Sequence, residues 1–109
     1  MKADIKRQWV KALRSGAYLQ GKGKLRTGRK SFCCLGVLCD LHSKKTKESW
    51  INGSGMRAYL GCTGTLPLLV QRWAGLRRDN PNINRRSLAS LNDTGKSFKT
   101  IASLIQKHL

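Results

Sequence analysis

The residues best suited to chemistry fall into three groups: a Gly-Lys-Ser triplet, two basic stretches, and four cysteines with two histidines. Gly95-Lys96-Ser97 stands directly before a helical pattern, an arrangement in which freed backbone N–H groups and a lysine hold phosphate in nucleotide-binding loops. That motif requires a glycine five residues before Gly95, where this chain has Ser90, and a strand ahead of the loop, where residues 87–91 read as a turn of helix. What survives is an anion seat at a helix N-terminus, formed by Lys96 and Ser97, set against plain capping by Ser97. The stretch from Gln20 to Lys30 places Lys22, Lys24, Arg26, Arg29 and Lys30 among Gly21, Gly23 and Gly28. Glycine lets backbone N–H groups approach a phosphate, and the interleaved bases supply charge. A hairpin or a mobile loop suits this composition equally. Arg77-Arg78 and Arg85-Arg86 bracket a polar segment rich in turn formers and make a second basic cluster.

Metal and nucleophilic chemistry are poorly served. Cys33, Cys34, Cys39, Cys62 and His42 contain no C-x₂-C pair, and a run shared with Leu35, Val37 and Leu38 uses cysteine as a small hydrophobe. The candidate bases for a cysteine are His42, three residues after Cys39, and His108, near a helix end. Asp4, Asp40, Glu48, Asp79 and Asp93 include no close carboxylate pair of the kind a metal-dependent nuclease uses. The expectation is a non-enzymatic protein with no catalytic residues, no metal and no cofactor.

Charge points to the partner. Twenty-two Lys and Arg against five Asp and Glu give a formal net charge of +17 over 109 residues. Such a surface repels itself unless a polyanion or counterions offset it. The N-terminus is charged and has no apolar signal segment, so the chain reads as cytoplasmic with its cysteines reduced.

The elements that must position these groups are organised around Ser31–Leu41, the longest apolar run and far too short to span a bilayer. It reads as a short extended segment through Phe32 followed by a buried helix over 34–44. Ile5, Trp9, Val10 and Leu13 mark an amphipathic helix over 3–14, stopped by Gly16. Glu48–Ile51 and Met56–Cys62 read as the strands of a hairpin with Asn52-Gly53 as its turn. Pro67 opens a helix over 66–74 with Leu69 and Trp73 on one face, ended by Gly75. Ser87 caps a short turn of helix holding Leu88 and Leu91, and Ser97 caps a final helix over 97–108. The expected architecture is one α+β domain, residues 1–109, of three to four helices packed with a short antiparallel hairpin. Its expected core is Trp9, Leu13, Leu35, Leu38, Leu41, Leu69, Trp73, Leu91, Ile101 and Ile105.

Trp9-Val-Lys-Ala-Leu-Arg-Ser-Gly16 with Gln20-Gly21, Phe32-Cys-Cys-Leu-Gly-Val-Leu-Cys-Asp40, Trp73-Ala-Gly-Leu-Arg77 and Leu91-Asn-Asp-Thr-Gly-Lys-Ser-Phe98 are spread along most of the chain. Together they resemble a recurrent family of small phage and prophage proteins. The resemblance implies a compact cytoplasmic domain made in an infected or lysogenic bacterial cell, with an accessory or anti-defence role. It carries no activity and no catalytic residue.

The leading expectation is a module that binds DNA or RNA through the phosphate backbone, using Lys22, Lys24, Arg26, Arg29, Lys30, Arg77, Arg78, Arg85, Arg86, Lys96 and Ser97. With Trp9 and Trp73 assigned to the core, only Tyr18, Trp50 and Tyr59 are left as base platforms, which favours duplex or structured RNA. The alternative is an anti-defence protein that sequesters a small phosphorylated nucleotide or covers an acidic host protein. A third reading, a small virion or scaffold component, predicts self-association. No membrane partner is expected.

Overall fold

An apolar run in a highly charged chain has to be covered, and here it is covered from every side. The computed structural model describes residues 1–53 and 56–109. In chain order the elements are α1 (Ala3–Arg14), β1 (Leu19–Gln20), β2 (Ser31–Phe32), α2 (Cys34–Thr46), β3 (Ile51–Gly53) and β4 (Met56–Ala58). They are followed by α3 (Leu68–Ala74), β5 (Asn82–Ile83), β6 (Arg86–Ser87), α4 (Leu88–Asp93) and α5 (Phe98–His108). The fold is α+β, as the sequence pattern predicts.

Every residue from Cys33 to Cys39 is buried, and a helix that is apolar all round is stable only when enclosed. α1, α3 and α4 pack against α2, while α1 also lies along α5. Trp9 is fully buried and donates its indole N–H to the Cys34 carbonyl at 3.0 Å. Cys33 caps α2: its thiol accepts the Gly36 N–H at 3.4 Å. Gly36 is required for packing, because a Cβ there would collide with the Leu25 carbonyl. The predicted serine caps are present. Ser87 accepts the Ser90 N–H at 3.1 Å and Ser97 accepts the Thr100 N–H at 3.2 Å. Gly75 closes α3 at φ +73°, which a left-handed cap favours.

Several expectations are corrected. Leu69 is 58 % exposed, whereas Val70 and Ala74 are buried and Trp73 is half-buried. Pro67 stands outside α3 as its N-cap, and the helix that follows turns Val70 and Ala74, four apart, inward. Leu41 is also only half-buried. Tyr59, expected as a free aromatic, is fully buried. Asn52 and Gly53 lie in β3, opposite Arg57 and Met56. Asn52-Gly53 is therefore strand and not the turn of this hairpin. The return strand ends at Ala58, and Tyr59 and Cys62 pair separately around Leu60 and Gly61, both with positive φ. Residues 77–86, read as loop, contain a second antiparallel hairpin, β5–β6, closed by Asn84 and Arg85 at φ +51° and +67°. Two successive positive φ values define the hairpin turn whose twist matches paired strands.

Candidate functional site

The Gln20–Lys30 stretch is not a free loop, and its second half folds back antiparallel, with Arg26 bridging Phe32. β1 pairs with β2 in parallel, and between them Leu25 is inserted into the core with no exposed surface. Its N–H donates to the Thr63 carbonyl at 2.7 Å and its carbonyl accepts the Cys33 N–H at 3.1 Å. Thr27 N–H then closes a tight turn on the Ser31 carbonyl at 2.8 Å. A leucine amid charged residues pins the chain, and the bases on either side are displayed from a fixed backbone.

Arg26 organises the far side of this loop. Its guanidinium lies over the Phe32 ring, 4.7 Å from the centroid, and 5.3 Å from that of Trp50. It donates from Nε to the Gly28 carbonyl at 3.1 Å and from Nη2 to the Arg29 carbonyl at 2.6 Å. Arg57, contributed by β4, donates to the same Gly28 carbonyl at 3.0 Å. Burial, with the Arg57 charge second, pushes the Arg26 pKa down. Lys22, Gly23, Lys24, Arg26, Thr27 and Arg57 line a pocket of about 240 Å³. On its other side Arg26 faces a second concavity that it shares with Tyr18, Arg29, Lys30, Phe32, Asp40 and Lys44. The two concavities meet at Arg26, so Lys22, Lys24, Arg29, Lys30, Lys44 and Arg57 form one basic arc. Arg57 and Lys44 escaped the sequence reading. Neither belongs to a basic run that includes glycine, and strand pairing and helix packing bring them to the loop.

Asp40 is the carboxylate beside this arc, and it is occupied. Tyr18 Oη donates to it at 2.7 Å, Trp50 Nε1 at 3.1 Å, and Lys44 Nζ lies 3.5 Å away. Burial and the Asp40 bond raise the Tyr18 pKa, while the bond to Tyr18 raises that of Lys44. Tyr18 and Phe32 meet edge to face at 5.1 Å, as do Phe32 and Trp50 at 5.7 Å. Tyr18 and Trp50 are therefore half-buried wall, with little ring face to offer a base.

The Gly95-Lys96-Ser97 triplet belongs to a latch. The buried Asn92 side chain accepts Gln20 Nε2 at 2.9 Å and the Cys34 N–H at 3.2 Å, and donates to the Gly21 carbonyl at 2.8 Å. Gln20 Nε2 also donates to the Lys96 carbonyl at 2.8 Å, and the Gly23 N–H donates to Asp93 at 3.0 Å. Ser97 caps α5, and the Lys96 side chain is exposed. Arg86 donates to Thr94 at 2.6 Å, so the C-terminal end of α4 holds both the glycine-rich loop, through Asp93, and the β5–β6 hairpin. Arg77 and Arg78 precede Asp79, whose carbonyl accepts the Leu66 N–H at 2.8 Å. Among the described residues no hydrogen bond joins them to the arc.

Cys33, Cys34 and Cys39 are buried thiols, and burial pushes their pKa values up, opposite to what a nucleophilic thiolate needs. His42 is buried beside Tyr59, with Nδ1 2.6 Å from its hydroxyl. Among the described residues no three His, Cys, Asp or Glu side chains gather as a metal site. No helix among them is long and apolar enough to cross a membrane.

Fold and surface together define a small α+β domain with a fixed basic arc. The chain belongs to the family described as a domain of unknown function (DUF8296), whose model matches residues 1–109. No curated protein and no solved structure matches it.

Proposed function

We propose that this protein is a non-enzymatic phage-type accessory module that binds duplex DNA or structured RNA through the phosphate backbone. One observation carries the reading. Among the described residues one ion pair forms, Lys44–Asp40, while every Lys and Arg other than Lys6, Arg26 and Arg57 is exposed. A surface of uncompensated cations gains free energy from a polyanion by releasing its condensed counterions. The half-buried state of Tyr18 and Trp50 and the full burial of Tyr59 leave little ring surface for stacking single-stranded bases. The accessory role in phage infection rests on the resemblance carried by the Phe32–Asp40 and Leu91–Phe98 motifs.

A salt titration of binding to a random-sequence duplex and to a structured RNA, followed by fluorescence anisotropy, tests the reading. The expected plot of log affinity against log salt falls steeply, by about 0.9 per phosphate neutralised on duplex DNA. Reversing Arg29 and Lys30 to Glu flattens that slope. A slope near zero, or no binding at low salt, overturns the proposal.

A further inference from the structure

The basic arc contains one place where charge is concentrated beyond what a continuous phosphate backbone asks for. Arg26 and Arg57 donate to a single acceptor, the Gly28 carbonyl, at 3.1 and 3.0 Å. A carbonyl has two lone pairs and can satisfy both bonds, but it cannot neutralise two guanidinium ions. Two carboxylates in this region, Asp40 and Asp93, are bonded to other groups. Asp40 lies on the opposite side of Arg26 with Tyr18, Trp50 and Lys44 around it. Asp93 accepts from Gly23 N–H and Asn92 Nδ2 and does not line the pocket. Two like charges are thus held together by stacking on Phe32 and Trp50 and by pairing of β4 with β3. Each guanidinium has five N–H groups, so donors remain beyond those bound to carbonyls. Lys22 and Lys24 stand exposed at the rim.

We infer that the pocket bounded by Lys22, Lys24, Arg26 and Arg57 is a seat for a phosphate monoester, the terminal phosphate of a nucleic acid or of a free nucleotide. A backbone diester carries one negative charge, whereas a monoester carries about 1.5 to 2 near neutral pH and presents three terminal oxygens. Planar guanidinium forks match those oxygens two at a time, and the two lysines supply point charge. The pocket volume, about 240 Å³, lies below the ~300–1,000 Å³ typical of sites that enclose a drug-sized ligand. It suits a phosphate with the start of its sugar and leaves a base outside. The inference rests on the polyanion reading for its class of ligand, and its test separates the two.

The experiment compares two duplexes of one sequence, bearing 5′-phosphate or 5′-hydroxyl ends, at 150 mM salt. A nucleoside 5′-monophosphate and its 3′,5′-cyclic diester serve as competitors. The expected result is at least tenfold tighter binding of the phosphorylated duplex and competition by the monophosphate but not by the cyclic diester. Arg57→Gln, its folding checked by thermal melting, abolishes the tenfold increment, and Lys107→Gln on α5 retains it. Equal binding of both duplexes without competition overturns the monoester seat and leaves the polyanion reading standing. Binding of the monophosphate with no binding of either duplex supports the seat, assigns it to a free nucleotide, and overturns the polyanion reading.

Discussion

Two cationic regions of this molecule are built in opposite ways. Along α1 and α5, Lys6, Arg7, Lys11 and Arg14 line a groove of about 570 Å³ with Val10, Ser15 and Gln106. Its cations are held at most by single exposed contacts, Lys6 to the Gln106 carbonyl at 3.3 Å and Arg14 to Ser103 at 3.1 Å. At the Gly28 pocket, two guanidiniums converge on one carbonyl and Arg26 is stacked on two aromatic rings. The charge counts are similar, but the cost of ordering is not. A long exposed side chain gives up rotamer entropy on each contact it makes, whereas the pocket's arginines have already given it up during folding. Charge makes both regions sticky toward anions; only the second is shaped for one.

That contrast can be broken from its foundations. Gly36→Ala is expected to have the largest effect. Alanine gains about 1 kcal/mol of helix propensity, but its Cβ would overlap the Leu25 carbonyl, a backbone clash that must push α2 and Leu25 apart and so exceeds the ~1–3 kcal/mol of ordinary overpacking. The net loss of stability, read by urea denaturation, detaches Leu25 from α2 and with it the loop that carries the pocket. Unchanged stability would show that the contact between α2 and Leu25 is slack.

Asn92→Ala comes next. It leaves the buried Cys34 N–H and Gly21 carbonyl without their partner, and unsatisfied buried groups cost about 1–3 kcal/mol each. A destabilisation of roughly 2–4 kcal/mol is expected, together with weaker binding at the pocket and less change at the α1–α5 groove. Measuring the phosphate-dependent increment in this variant distinguishes a latch that positions the loop from one that merely stabilises the domain.

Acid sharpens the contrast further. Burial lowers the His42 pKa from its ordinary value near 6.5. The unfolded chain therefore binds the proton more readily, and stability falls as pH drops through 6.5 toward the depressed folded value, then levels off for this group. His42→Gln is expected to flatten that segment of the pH–stability curve. An identical slope in the variant would assign the acid sensitivity elsewhere.

The smallest effect belongs to the groove. Lys6→Ala and Arg14→Ala are each expected to change stability by less than about 0.5 kcal/mol and to reduce the salt slope by at most about one. A larger loss of binding there than at Arg57 would reverse the ranking of the two regions.

Much of the scaffold was legible because it is local. The spacing of Ile5, Trp9 and Leu13, the serines at 87 and 97, and the glycines at 16 and 75 act within one or two turns of chain. α3 was legible in position but not in facing. Leu69/Trp73 and Val70/Ala74 both fit a helical period, and the packing against α2 selects between them. The basic stretches were legible as charge but not as geometry. The triplet at Gly95 was absorbed into a latch because Gln20 and Asn92, 72 positions apart, meet in the fold.

Hydrophobic period, capping and composition are local properties, and they suffice for a charged α+β domain wrapped around one apolar helix. Which cations share a site follows from long-range packing alone. Arg57 reaches Gly28 across 29 positions, and Leu25 fixes the loop by entering a core built from distant helices. No local rule encodes either contact, because the free energy that holds each comes from surfaces that exist only after the chain has packed.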